Sequence, residues 1–270
     1  MEKLDVIIFS GQSNMQGQSE RLSNTERVKN AYEYKYLTDS LSPLSNPVGE
    51  NIRNDESEGY TFCEGTDIKQ WLSDHVLGAA CYGHTNLVPE FCRNYIEESG
   101  VSVIAVHAAK GSTEISYWMP NTKAYEILIN KARRAIAMAK REYEIGKIYF
   151  IWLQGESDAI AKRTKNYYKE QITLLCDSLK KDIGINKFGI IRVGRFTKDI
   201  RDLEIINAQD EICLENENFL MLTDIATKLN EMPEYMNQYV GGHYSAAGLE
   251  KLGKEAGKTL AKYKKQSEDK

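Results

Sequence analysis

The stretch Leu4–Phe9, Leu-Asp-Val-Ile-Ile-Phe, is a short and nearly continuous apolar run, and it decides the fold class. Four later runs share its length and its apolar, β-branched character: Val101–Val106, Ile148–Leu153, Phe188–Val193 and Phe219–Leu222. Runs of this kind are typical of strands that are buried on both faces of a parallel sheet. The sequence therefore predicts a parallel sheet of about five strands.

Helical patterns separate the predicted strands. In Thr122–Tyr143 apolar residues recur at spacings of three and four, which predicts a long amphipathic helix. Similar patterns predict helices over Pro89–Glu98, which ends at Gly100, and over Tyr167–Leu179 and Ala246–Tyr263. Strands that alternate with helices favour right-handed crossovers, so we predict an α/β fold arranged as a three-layer α/β/α sandwich.

The segment from about residue 19 to residue 88 is polar and lacks this periodicity. It is too long for an ordinary loop in a compact domain. We predict that it is an insertion within a single domain of residues 1–270. In that domain it either covers an edge of the sheet or shapes a pocket, or else it is an ordered decoration with no direct role.

Composition excludes several classes of protein. Hydrophobic residues make up 41% of the chain and charged residues 27%, which excludes a disordered or collagen-like protein. The 35 Lys and Arg against 39 Asp and Glu give a net charge of −4, whereas nucleic-acid binders usually have a basic excess. We therefore expect neither a nucleic-acid partner nor a membrane, since no apolar run approaches the length of a span.

The cysteine pattern favours a reducing compartment. The chain has five cysteines, an odd number, and no Cys-x-x-Cys pair. A disulfide framework and a structural zinc site are therefore not expected, and reduced thiols are. The start of the chain lacks the features of a signal peptide, so we predict a cytoplasmic protein. No feature of the sequence specifies an oligomeric state.

Candidate catalytic groups lie in the loops that follow the predicted strands, where open α/β sheets bind their ligands. Ser13 follows the first strand on a turn with Gly11, a position that suits an exposed hydroxyl nucleophile with backbone donors nearby. A phosphate-binding loop is not indicated, because neither Gly-x-Gly-x-x-Gly nor Gly-Lys-Ser/Thr occurs there. After the second and third strands, Gly111 can offer an unobstructed N–H and Gln154 a side-chain amide.

An acid and a base complete this set. Glu156 follows the third strand, where an unpartnered charge is costly, so we favour a functional role over an ordinary surface position. His243 lies in a glycine turn before the last helix, and imidazole is the group best suited to accept a proton near neutral pH. For His75, His84 and His107 we expect packing or surface positions.

These motifs together resemble those of the SGNH hydrolases. The resemblance rests on Gly-Gln-Ser-Asn-Met at 11–15, on Gly111, on Gln-Gly-Glu-Ser-Asp at 154–158 and on the histidine before the last helix. It is narrower to the branch of sialate O-acetylesterase-like proteins and carbohydrate esterase family six acetylxylan esterases, and it extends from residue 4 to about residue 255. It implies a flavodoxin-like sandwich and a serine acetylesterase that acts on carbohydrates without a metal or an organic cofactor.

The resemblance also implies roles for individual residues. Ser13 corresponds to the nucleophile and His243 to the general base. The oxyanion hole corresponds to the N–H groups of Ser13 and Gly111 and to the side chain of Gln154. The implied reaction passes through a covalent acetyl-enzyme.

One departure from the pattern concerns the group that orients the histidine. Many relatives have an aspartate three residues before it, and this chain has Val240 there. Either another carboxylate orients His243, or the triad is reduced to a dyad. Glu156 is the expected substitute, and Asp158 and Asp224 are the alternatives.

Substrate contacts are less specific in the sequence. Gln12 and Trp118 are the candidate substrate-binding residues, Trp118 as a platform for a sugar ring, although a lone tryptophan suits the core equally well. For Arg192 and Arg195 we expect structural ion pairs rather than contact with an acidic sugar.

Several functions remain open at this stage. The acetylated substrate is a xylan fragment, a sialic acid or another glycan. Val240 leaves open a non-catalytic relative that only binds carbohydrate. The architecture alone also permits a flavodoxin-like binder of a nucleotide or a flavin, for which the sequence has no phosphate motif.

Overall fold

The protein, seen in a computed structural model that describes residues 2–36, 39–49 and 85–268, has a mixed seven-stranded sheet with helices on both faces. The strands are β1 (Lys3–Gly11), β2 (Ala31–Lys35), β3 (Ser40–Pro43), β4 (Ser102–Ala109), β5 (Glu144–Leu153), β6 (Lys187–Ile191) and β7 (Phe219–Thr223). The helices are α1 (Ser13–Gln16), α2 (Val88–Ser99), α3 (Lys123–Glu142), α4 (Glu156–Ile160), α5 (Lys165–Ile183), α6 (Ile200–Glu215), α7 (Ala226–Leu229) and α8 (Ala246–Glu268).

The strand order places β1 in the centre of the sheet. The order is β3-β2-β4-β1-β5-β6-β7, and every neighbouring pair is parallel except β2 and β3. Ile7 of β1 lies opposite Ala105 of β4 and Tyr149 of β5, and all three side chains are buried. Strand β1 and the four strands from β4 to β7 are the five that the sequence predicts. The flavodoxin-like α/β/α sandwich is therefore confirmed.

The predicted number of strands is too small. Strands β2 and β3 lie in the segment that lacks periodicity, and β2 pairs in parallel with β4 at one edge of the five-stranded core. The sequence pattern does not predict β2, because charged residues such as Glu33 and Lys35 are typical of polar loops. In the folded protein these two side chains form a buried ion pair of 2.7 Å. This part of the segment thus covers a sheet edge, one of the roles expected for it.

Helices form the two outer layers. Helices α2 and α8 pack together in one layer, and α3, α5 and α6 pack in sequence in the other. The predicted ends of α3 are close to those observed, because the Thr122 side chain accepts a hydrogen bond from the N–H of Tyr125 and starts the helix there. Gly100 ends α2 in the left-handed conformation, as predicted. Among the helices of the described ranges, none is long and apolar enough to cross a bilayer.

The parallel strands bring their carboxyl ends to one edge of the sheet. The loops after β1, β4, β5 and β6 therefore meet there, and they contain most of the candidate residues. Within the described ranges Cys92, Cys176 and Cys213 are free thiols. Cys63, Cys81, His75 and His84 lie outside the described residues.

Candidate active site

Ser13 lies on a tight turn between β1 and α1. Gly11 has a φ of 147°, and a Cβ atom at this position would lie 2.0 Å from the carbonyl oxygen of Leu153, so only glycine fits there. The N–H of Gln12 donates to the same carbonyl at 3.0 Å. The turn is thus tied to the end of β5, and Ser13 is the first residue of α1 with 4% of its surface exposed.

The far end of α1 is held by two buried side chains. Asn86 Nδ2 donates to the carbonyl oxygens of Met15 and Gln16 at 2.7 and 2.9 Å. His107 Nε2 lies 3.1 Å from the Met15 carbonyl oxygen, and burial lowers the pKa of His107 to about 3. His107 is therefore a neutral packing residue that supports the nucleophile helix, as expected.

Gly111 lies beside Ser13. A Cβ atom placed on Gly111 would be 3.5 Å from Cβ of Ser13, so the loop after β4 reaches the turn after β1. The Gly111 N–H donates to the side-chain oxygen of Gln16 at 2.8 Å. The structure thus brings Ser13 and Gly111 together as predicted, with the Gly111 donor engaged by a side chain of the same site.

Gln154 and Gln12 are used inside the protein. Gln154 Nε2 donates to the Thr113 carbonyl oxygen at 2.9 Å and to Asp158 Oδ2 at 2.5 Å, and the residue is fully buried. Gln12 Oε1 accepts from the N–H of Ser157 at 3.1 Å and caps the start of α4. Both side chains brace the loops around the turn in this structure, and the roles expected for Gln154 in the oxyanion hole and for Gln12 at the substrate stay predictions.

His243 is oriented by a backbone carbonyl. Its Nδ1 lies 3.1 Å from the carbonyl oxygen of Gly241, which can only accept a hydrogen bond, so the ring hydrogen lies on Nδ1. Nε2 is then the nitrogen that can accept a proton. The ring is 8% exposed, and burial lowers the pKa of His243 below its ordinary value of 6.5. The imidazole is consequently neutral at neutral pH.

Phe196 supports the histidine loop and is missed by the sequence analysis. Its ring meets the His243 ring edge-on with centroids 5.9 Å apart. Gly242 packs on the same phenyl ring, since a Cβ atom there would lie 2.2 Å from Phe196 Cε2. Asp202 holds the loop of Phe196 by accepting from the N–H groups of Thr197 and Lys198. A signal for Phe196 exists only in its position after the fourth predicted strand.

Asn14 joins the two halves of the site. Its Oδ1 accepts from the N–H of Tyr244 at 3.2 Å, and its Nδ2 donates to Glu156 Oε1 at 2.8 Å. Because Asn14 follows Ser13 and Tyr244 follows His243, this hydrogen bond brings the nucleophile turn and the histidine loop together. The sequence analysis includes Asn14 in a motif but assigns it no role.

Glu156 is not bonded to His243, and that expectation is corrected. Its Oε1 accepts from Asn14, and its Oε2 has no hydrogen-bond partner within the described ranges. The carboxyl group is 3% exposed, and burial raises its pKa. Glu156 therefore reaches the histidine loop only through Asn14.

The two alternative acids do not replace it. Asp158 Oδ2 accepts from the N–H of Ile115 at 2.9 Å, and burial raises the pKa of Asp158 to about 6. It fixes the loop that precedes a short 3₁₀ helix, Ile115–Trp118. Asp224 is exposed at the end of β7. The nearest polar partner of the imidazole Nδ1 is thus the Gly241 carbonyl.

Trp118 belongs to the core, and its expected role as a sugar platform is corrected. It is fully buried, its Nε1 donates to Thr113 Oγ1 at 3.0 Å, and its ring meets Trp152 edge-on. The neighbouring Tyr117 is 41% exposed. Arg192 forms a two-pronged ion pair with Asp210 at 2.8 and 3.0 Å, which confirms the expected structural role.

The donor set of this edge is suited to acyl transfer rather than to metal binding. In residues 2–36, 39–49 and 85–268 no group of three or more His, Cys, Asp or Glu side chains is arranged to hold a metal ion. A buried hydroxyl and a glycine N–H lie side by side, and the Asn14–Tyr244 hydrogen bond joins their segment to the loop of a neutral imidazole. These groups can supply a nucleophile, a base and a donor for a developing oxyanion.

Comparison with known proteins points to the same chemistry. A family model described as "Carbohydrate esterase, sialic acid-specific acetylesterase" matches residues 3–262. No curated protein sequence is significantly similar to the chain.

Solved structures share the fold at low sequence identity. A protein from Arabidopsis thaliana is 16% identical with a TM-score of 0.67, and the match covers 95% of this chain and 98% of that one. NanS is 12% identical with a TM-score of 0.64 and 98% coverage of both chains. A carbohydrate acetylesterase from Xanthomonas citri is 15% identical with a TM-score of 0.54, covering 96% of this chain and 56% of the other.

Proposed function

The chain belongs to the carbohydrate esterase family of sialic acid-specific acetylesterases and is a carboxylic ester hydrolase, and we propose that it removes O-acetyl groups from carbohydrates through an acetyl-enzyme on Ser13. The observation that supports this most is the hydrogen bond between Asn14 and the Tyr244 N–H, which holds the serine turn against the histidine loop. The proposal assigns every chemical step to side chains and backbone groups of this edge of the sheet.

His243 acts as the general base. Its Nε2 takes the proton of the Ser13 hydroxyl while the serine oxygen attacks the acetyl carbonyl carbon. The imidazolium then gives this proton to the leaving sugar oxygen as the ester bond breaks. In the second half of the cycle a water molecule loses a proton to Nε2 and attacks the acetyl-serine. The imidazolium then returns this proton to the serine oxygen as the acyl bond breaks, and acetic acid leaves and ionises to acetate.

The Gly241 carbonyl takes the place of the missing aspartate. It accepts the Nδ1 hydrogen, fixes the tautomer and leaves Nε2 free for the serine. A carbonyl stabilises the imidazolium less than a carboxylate does, because it carries only a partial charge. Glu156 is a positioning residue, since it acts on the histidine loop through Asn14.

Backbone donors stabilise the tetrahedral intermediate. The N–H of Ser13 belongs to the first turn of α1, where no intrahelical acceptor exists, and Gly111 places a second N–H beside the serine. Mutagenesis in other serine hydrolases shows that one such donor is worth about 10²–10³ in kcat. The side-chain amide of Gln154 is the third donor proposed for this hole; it is bonded to Thr113 and Asp158 and, like the Gly111 N–H, must exchange its partner to bind the oxyanion.

Acetylated carbohydrates are the proposed substrate class. The description of the family favours O-acetylated sialic acids, and acetylated xylan fragments are the second substrate to test. The exposed Tyr117, next to the buried Trp118, is available at the surface for contact with a sugar ring.

A panel assay tests the proposal. Release of acetate is measured from O-acetylated sialic acids, acetylated xylo-oligosaccharides and an aryl acetate, with the wild-type protein and with Ser13→Ala. We expect turnover of at least one acetylated sugar and a loss of at least about 10³-fold in the variant. Activity retained in Ser13→Ala would refute the assignment, and sugar binding without any turnover would indicate a non-catalytic relative.

A further inference from the structure

The side chain of Gln16 is bonded to one of the proposed oxyanion donors. Its Oε1 accepts from the Gly111 N–H at 2.8 Å, the donor that the proposed mechanism assigns to the oxyanion. Ser13 and Gln16 are three residues apart in α1 and lie on the same helix face, so the amide stands beside the nucleophile. Without substrate, Gln16 Oε1 therefore accepts from the Gly111 N–H, the same N–H that the ester carbonyl must bind in the proposed mechanism.

The hydrogen bonds of the Gln16 amide show which way it points, and they leave its NH₂ group without a partner among the described residues. Oε1 also accepts from Gln18 Nε2 at 3.3 Å, so two donors face the oxygen. Gln16 is 7% exposed, and its Nε2 has no hydrogen-bond partner in the part of the chain that the structure describes. A buried donor without a partner is costly, so this resting arrangement is held less firmly than a fully bonded one.

We propose that Gln16 is a specificity-determining residue whose side chain must leave Gly111 before an ester can react. This inference rests on the proposed function. The displaced amide needs both an acceptor and a donor, and sugar hydroxyl groups supply both. An aryl group supplies neither, so displacement is easier for an acetylated sugar than for an aryl acetate.

The alanine variant tests this through a ratio of substrates. In Gln16→Ala the Gly111 donor is free, and we expect kcat/KM for 4-nitrophenyl acetate to rise about two- to tenfold, the range that corresponds to one neutral hydrogen bond. For the best acetylated sugar the gain is offset by the lost contacts, so its kcat/KM changes less. An aryl acetate value that stays the same or falls overturns the inference.

Two further variants test the direction of the change in kcat/KM for the aryl acetate. Gln16→Glu keeps an oxygen on the Gly111 N–H and makes the bond charge-assisted, so the aryl acetate value should fall rather than rise. Gln171→Ala is the matched control, because it removes a glutamine of α5, outside the loops that form this site, and should change kcat/KM less than twofold. A change of the same sign in the Ala and Glu variants overturns the inference.

Amide hydrogen exchange gives a readout that does not depend on turnover. In the wild type the Gly111 N–H is bonded, and in Gln16→Ala its exchange should accelerate at unchanged melting temperature. Unchanged exchange overturns the inference. A wild-type protein that hydrolyses no ester overturns the proposed function as well, whereas an active wild type without the expected rise in Gln16→Ala overturns the inference alone.

Discussion

The two halves of the candidate site are built differently. The serine turn is braced by buried side chains on several sides: Gln12 caps α4, Gln154 ties two loops, and Asn86 holds the end of α1. The histidine loop is held by the buried Asn237, whose Oδ1 accepts from the N–H groups of Tyr239 and Val240. Within the described ranges the ring itself has only the Gly241 carbonyl on Nδ1 and Phe196 edge-on against it. The position of the proposed nucleophile is thus set by several bonded loops, and the orientation of the proposed base by a short glycine turn.

Substitutions in the two halves should therefore affect stability and catalytic alignment to different extents. Removing a bracing amide on the serine side leaves buried partners unpaired, which costs stability as well as alignment. On the histidine side the imidazole has one hydrogen bond, at Nδ1, among the described residues, so changes beside the ring act on the proposed base more than on the fold.

The largest effect is expected at the bond that joins the two halves. Asn14→Ala removes the acceptor for the Tyr244 N–H and the donor to Glu156, so the serine and histidine segments lose their link. We expect kcat to fall about 10²-fold, the usual consequence of a misplacement of about 1 Å. Steady-state kinetics on an aryl acetate measures this loss.

A buried asparagine far from the site provides the control. Asn94 of α2 donates to the Glu90 carbonyl oxygen at 2.8 Å and touches no residue of the site described here. Asn94→Ala should lower the melting temperature with kcat unchanged. If Asn14→Ala loses stability but keeps its kcat, Asn14 has only a structural role.

A smaller loss of kcat is expected for substitutions of Glu156. Two of them distinguish a role of its hydrogen bond to Asn14 from a role of its charge. Glu156→Gln keeps an oxygen that can accept from Asn14 and removes the ionisable carboxyl group, so we expect kcat to change less than about threefold. Glu156→Ala removes the acceptor and should lower kcat about tenfold. A large loss in Glu156→Gln would show that the charge itself acts on His243.

The smallest effect is expected at Val240 and appears in the pH profile. The base must be neutral, so kcat/KM falls as pH drops through the pKa of His243, which burial places below 6.5. Val240→Asp offers Nδ1 a carboxylate, favours the imidazolium and raises this pKa. We expect the acid limb to move up by about one pH unit.

An uncharged variant isolates the effect of the carboxylate. Val240→Asn has nearly the same shape as the aspartate variant and should leave the acid limb in place. Equal shifts in the two variants would mean that the loop moved, and no shift in either would mean that position 240 does not reach the imidazole.

The sequence predicts the core of the fold because each core strand is a recognisable run of apolar residues. Strands β1 and β4 to β7 are continuous apolar runs, and Gly100 and Thr122 mark helix ends with their own local chemistry. Strand β2 is not predicted because Glu33 and Lys35 neutralise each other as a buried ion pair only in the folded chain. A pattern of apolar residues along the sequence does not indicate such a pair.

Sequence patterns indicate candidate residues better than they indicate the partners of those residues. Ser13 and His243 are candidates because of their positions at a strand end and before the last helix. The direction of a side chain at the carboxyl edge of the sheet depends on neighbours from other loops, so the sequence does not predict that Gln154 bonds to Thr113, that Glu156 bonds to Asn14 or that Trp118 is fully buried. The carbonyl of Gly241 carries no side-chain signal at all.

Covalent labelling of Ser13 tests the central claim most directly. The wild-type protein and His243→Ala are treated with an alkyl fluorophosphonate, and the site and rate of modification are measured by mass spectrometry of peptides. The account predicts one adduct on Ser13 of the wild type and labelling at least about 10²-fold slower in the variant. An adduct on another residue, or a Ser13 labelling rate that does not depend on His243, would contradict it.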